Sequence, residues 1–123
     1  MPDTAAGPVT AQPLPPWLLQ DTASTFALLS ATVRLHILWL LASGDRDVGT
    51  LAEETGQSVA TVSQHLSKLK LSGLVRARGE GKRHVYVVAD THVVEVVRFA
   101  IGQRLDATIR RASTSCLTNG SCL

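Results

Sequence analysis

Apolar side chains recur at Val59, Val62, Leu66 and Leu69, the i, i+3, i+7, i+10 rhythm of a single helix face. The opposite side carries Thr61, Gln64, His65 and Lys68, with Ser63 at its edge and Ser58 at the helix start. These side chains are polar, fairly short and rich in donors and acceptors, where an ordinary surface helix alternates Glu and Lys. Gly56-Gln57-Ser58 reads as a tight turn into this helix, and a shorter helix from about Val48 to Thr55 precedes the turn. Two helices joined by a glycine-containing turn make a helix-turn-helix. Upstream, Pro15-Pro16 pre-sets the backbone for a first helix, roughly Pro16 to Ser30, with Leu18, Leu19, Ala23, Phe26, Ala27 and Leu29 as its apolar positions. A second helix, about Thr32 to Ala42, turns Val33, Ile37, Leu38, Leu40 and Leu41 inward and stops at Gly44.

After Gly73 the period shortens. Leu74 to Arg78 and His84 to Val88 are β-rich runs, and the glycine-bearing segment from Gly79 to Arg83 joins them as a turn with a basic tip. A last helix, about Thr91 to Arg111, is apolar at Val93, Val94, Val96, Val97, Ala100, Ile101, Leu105 and Ile109. That face is wider than packing on one small domain requires, which predicts a homodimer made through the last and first helices. The elements add up to an α+β, mainly α, winged helix-turn-helix of about five helices and a two-stranded hairpin wing. All five prolines lie in the first sixteen residues. Residues 1–14 therefore read as a flexible arm, 15–112 as the folded domain and 113–123 as a flexible tail.

Charge changes the picture more than composition does. The net charge is +2 over 123 residues, yet Lys68, Lys70, Arg76, Arg78, Lys82 and Arg83 lie in one stretch against Glu80 alone. The rest of the chain is net acidic. Charge concentrated beside a polar-faced helix points to a polyanion, here double-stranded DNA. Thr61, Ser63, Gln64 and His65 then form the base-reading face, and Ser58 at the helix start is also expected at the DNA. Lys68, Lys70, Arg78, Lys82 and Arg83 meet phosphates and fix the register without reading sequence. No apolar run approaches the ~20 residues that span a bilayer, and the N-terminus lacks a basic patch followed by an apolar stretch. No membrane partner and a cytoplasmic location are the corresponding expectations.

From about Phe26 to Arg104 the chain resembles the ArsR/SmtB family of bacterial winged-helix repressors. The resemblance rests on Arg34 to Leu38, Leu51-Ala52-Glu53, Val62 to Leu69, Gly73-Leu74-Val75 and Val85-Tyr86. It implies a homodimer that binds a pseudo-palindromic operator and is controlled by a sensed metal ion or oxidant, the pattern being most similar to the nickel-, cobalt- and zinc-sensing members. In those sensors an Asp and a His at i and i+2 are joined by two ligands from the partner protomer. The positions matching that pattern are Asp90 and His92, then Gln103 and Asp106. Gln103 departs from it, since a neutral amide oxygen is a weak ligand for nickel or zinc. Without a metal, Asp90 is a natural N-cap and Asp106 a partner for Arg110 at i+4.

Cys116 and Cys122 sit in the tail on either side of Asn119-Gly120, a turn that would let two thiols meet as a redox pair or soft-metal clamp. There is no Gly-rich phosphate loop and no nucleophile elbow, so an enzyme is not expected. The expectation is thus a metal-controlled DNA-binding regulator, most simply a repressor. Two alternatives remain open: a thiol-responsive regulator using the tail cysteines, and a winged-helix module that binds another regulator.

Overall fold

The structure, a computed structural model, describes residues 12–119, with side chains described through residue 112. Five helices and three short strands follow in the order α1 (Pro16–Leu29), α2 (Thr32–Ser43), β1 (Arg46–Asp47), α3 (Val48–Thr55), α4 (Val59–Leu71), β2 (Val75–Glu80), β3 (Arg83–Val88) and α5 (Thr91–Asn119). Pro16 occupies the first position of α1, where its missing N–H costs nothing. α1 and α2 meet at 89°. Among the described residues no single helix is long and apolar enough to cross a membrane.

The sheet is antiparallel, ordered β1-β3-β2. β2 and β3 form the expected hairpin from Val75 opposite Val88 to Glu80 opposite Arg83. Gly81 at φ 64° takes the left-handed turn that leaves a two-residue loop, Gly81-Lys82. The third strand adds to the two-stranded expectation: Arg46 pairs with Tyr86 and Asp47 with Val85. Arg46 fastens it in place, donating to the Leu40 and Gly44 carbonyls and to Glu54.

The core gathers around Ile37, Leu38, Leu51, Val62, Leu66, Leu69 and Val97, all essentially inaccessible. Each such burial stabilises the fold by roughly 1.5–3 kcal/mol before the entropy of ordering is subtracted. One expectation about an apolar face needs correction. Val59, placed on the inner side of α4, is 54% exposed because it lies in the first turn, beyond the edge of the core. On α5 Val94 and Val97 are the buried residues among those described, and Val96, Phe99, Leu105 and Ile109 face out, so the broad apolar face is not used up by this chain's own core. Trp17, Leu19 and Phe26 of α1 are likewise exposed. The α5 backbone also runs on to Asn119, past the expected end near Arg111.

Candidate nucleic-acid interface

The chain delivers α4 to the surface through two caps and a turn. Asp47 Oδ1 accepts from Thr50 N at 2.8 Å and starts α3. The same carboxyl lies below the ordinary carboxylate range, through the Thr50 N–H first and the Arg83 charge after it. Gly56 ends α3 at φ 71°, a left-handed position that a Cβ would strain. Ser58 then caps α4, accepting from Thr61 N at 3.1 Å and donating to Thr61 Oγ1 at 2.9 Å. At the far end Gly73, at φ 79°, closes the helix, with Leu74 N bonded to Leu69 O at 3.0 Å.

With Val62, Leu66 and Leu69 anchored in the core, the other side of α4 is directed outward. Gln64, Lys68 and Lys70 are exposed, and Thr61, Ser63 and His65 are half-buried. The Ser58 hydroxyl is engaged in the cap. His65 has a partner that sequence reasoning missed: Arg34 of α2, whose Nη1 lies 3.1 Å from His65 Nδ1. Arg34 also donates through Nε to the Leu28 carbonyl at 2.6 Å. Burial, then the Arg34 charge, then Lys68, hold the His65 imidazole below its ordinary pKa of 6.5. The one available signal was a guanidinium inside the apolar run of α2.

The wing is less freely basic than its sequence implies, because β1 and the turn before it bring carboxylates across. Arg78 lies 3.1 Å from Asp45 and 2.8 Å from Glu80. Arg83 lies 2.9 Å from Asp47. Lys68, Lys70, Arg76 and Lys82 make no ion pair among the described residues. The tip therefore presents Lys82 unopposed, and Arg78 and Arg83 in competition with acids.

Asp90 caps α5, its Oδ1 accepting from Val93 N at 3.1 Å. His92, Gln103 and Asp106 are exposed on the same helix. At about 1.5 Å of rise per residue, positions 92 and 103 stand roughly 16 Å apart along the axis, so one protomer cannot bring all four to one ion. Consistently, no group of three His, Cys, Asp or Glu side chains converges among the described residues. The side chain of Cys116, and all of Cys122, lie outside what is described.

Residues 32–77 match the model of the family described as "Bacterial regulatory protein, arsR family". The chain is 36% identical over 89 residues to the HTH-type transcriptional regulator KmtR of Mycobacterium tuberculosis, covering 72% of this chain and 68% of that protein. It is 36% identical over 97 residues to the probable mercury resistance operon repressor of Streptomyces lividans, covering 79% of this chain and 75% of the relative. Its fold is similar to a homodimeric winged helix-turn-helix DNA-binding domain from Mycobacterium bovis, described as a possible ArsR-family transcriptional regulator. That likeness has a TM-score of 0.61 at 34% identity, covering 87% of this chain and 91% of that one. Helix-turn-helix, wing and relatives agree: this is a DNA-binding transcriptional regulator, not an enzyme, and the chain belongs to the ArsR family of bacterial regulatory proteins.

Proposed function

We propose that the protein works as a homodimeric repressor, paired through α1 and α5, that seats two copies of α4 in the major groove of a pseudo-palindromic operator. The observation that carries this reading is the polar side of α4, directed outward with Lys68 and Lys70, which, like Lys82 of the wing, make no ion pair among the described residues. Thr61, Ser63, Gln64 and His65 supply the base contacts, and Lys68, Lys70, Lys82, Arg78 and Arg83 the phosphate contacts. Pairing is supported by Trp17, Phe26, Val96, Phe99, Leu105 and Ile109, whose apolar surface is left uncovered in one protomer. It would space the recognition helices about one DNA turn, roughly 34 Å, apart. The test is selection of a bound duplex from a random pool, followed by affinity measurements at rising KCl. A steep fall in affinity is expected, and a flat profile would refute phosphate contact.

Control by a divalent transition metal is the finer part of the proposal. Asp90 and His92 of one protomer, with Gln103 and Asp106 of its partner, would hold nickel, cobalt or zinc. The donor set fits such an ion in part. Asp90 Oδ1 is engaged by Val93 N and orients the carboxylate, one imidazole is exposed, and the Gln103 amide is the weak member. A relative named for mercury resistance supports metal response within the family. Calorimetric titration of the metal-free dimer with each ion, repeated on His92→Ala, decides it. Tight binding that survives the substitution excludes this site.

A further inference from the structure

We propose that Arg34 is a positioning residue for base reading: it fixes the tautomer of His65 with the proton on Nε2, so that α4 offers a donor, and not an acceptor, at that position. The inference rests on the reading that α4 contacts DNA, and adds a residue from a different helix to it. A guanidinium has five N–H donors and no acceptor, so the 3.1 Å contact from Arg34 Nη1 is a hydrogen bond only if His65 Nδ1 carries a lone pair. The ring's proton then resides on Nε2. Arg34 is itself held, since its Nε donates to Leu28 O at 2.6 Å at the end of α1. The guanidinium is therefore aimed from two sides, and its direction is set by the junction of α1 and α2.

Protonating the ring would replace that bond with an N–H facing a guanidinium and would set a second positive charge beside it. Arg34 from α2 and Lys68 from α4 are the charged groups acting on the ring, and both oppose a third cation, as does burial. His65 is half-buried, with Nδ1 engaged by Arg34 and part of the residue open to solvent. A fixed Nε2–H suits the acceptors of a major-groove edge, purine N7, guanine O6 or thymine O4. It is mismatched to the cytosine amine. A free histidine, able to present either nitrogen, would discriminate less.

The experiment uses the full chain with 15N-labelled histidine. Long-range 1H–15N correlation spectra report the His65 tautomer, and selection from a pool of random duplexes reports base preference. Both are read for the wild type, Arg34→Met, Arg34→Lys and His65→Ala. The expected result is an Nε2–H tautomer in the wild type and a tautomer mixture in Arg34→Met. Base preference should relax by about tenfold at one position per half-site, the same position in Arg34→Met and His65→Ala. Arg34→Lys, which keeps a donor, should restore part of that preference. An Nδ1–H tautomer in the wild type overturns the proposal without any variant having to fold. So does an Arg34→Met protein that binds more weakly on all sequences with its preference unchanged, since Arg34 would then only brace the helices. If the wild type selects no duplex at all, the DNA reading of α4 has failed as well, an outcome the spectra cannot mimic.

Discussion

Replacing Asp47 with Asn should tighten DNA binding, although Asp47 is not expected to touch DNA. Its two carboxylate oxygens have separate tasks: Oδ1 caps α3 through Thr50 N, and Oδ2 sits 2.9 Å from Arg83 of the wing. Asn caps as well as Asp does, so Asp47→Asn keeps the helix start and removes only the charge. Arg83, 62% exposed, then faces solvent with no competing carboxylate from β1. Each additional phosphate neutralised steepens log K against log salt by about 0.9, so a dimer gains a slope of about 1.8. Over a fourfold range of KCl that difference amounts to roughly twelvefold, with the variant's advantage greatest at low salt. Fluorescence anisotropy with the selected duplex across a KCl series measures it. Asp47→Ala should show the same slope but a lower unfolding midpoint, because it loses the cap too. The double variant Asp47→Asn/Arg83→Ala should forfeit the gain. A slope for Asp47→Asn equal to that of the wild type would show that Arg83 meets no phosphate and that the pair is an ordinary surface contact.

Leu66→Ala empties a fully buried position behind the recognition surface and should cost about 2–5 kcal/mol in urea unfolding; a loss below half a kcal/mol would mean the core can close over the gap. Phe26→Glu alters a side chain that is 57% exposed, so the monomer should keep its helical circular dichroism. Sedimentation should nevertheless shift from dimer to monomer with operator binding lost, and a variant that stays dimeric removes α1 from the interface. Burial, then the Arg34 and Lys68 charges, lower the His65 pKa in the fold, so the unfolded chain takes up its proton first as pH falls. Its contribution is therefore flat above the ordinary value of 6.5 and turns destabilising below it. His65→Gln should flatten that part of the stability profile; an unchanged profile assigns the acid loss to another group.

What the sequence made legible was whatever local periodicity and local turn chemistry control. The 3.6-residue rhythm of Val62, Leu66 and Leu69 on α4, the glycine turn at 56 and the alternation of β3 all depend on neighbours within a few residues, and each lies where its pattern puts it. β1 escaped because Arg46-Asp47 is too short to alternate and exists as a strand only through Tyr86 and Val85. The apolar width of α5 was readable, but a pattern shows which side chains avoid water, not what covers them. Among the described residues Val96 and Ile109 are left 47% and 58% exposed.

Charge is where distance along the chain mattered most. A count over residues 57–88 gives the wing arginines to DNA, yet the fold sets Asp45 beside Arg78 and Asp47 beside Arg83, and brings Arg34 across 31 residues to His65. Three guanidiniums thus have partners within the protein before any phosphate arrives. A bidentate, fixed-geometry donor is well suited to holding elements in register, while a lysine on its flexible stem remains available to a polyanion. On that division, and on the proposed reading of α4, Lys68, Lys70 and Lys82 would supply attraction to DNA, while Arg34, Arg78 and Arg83 would hold α4 and the wing in place.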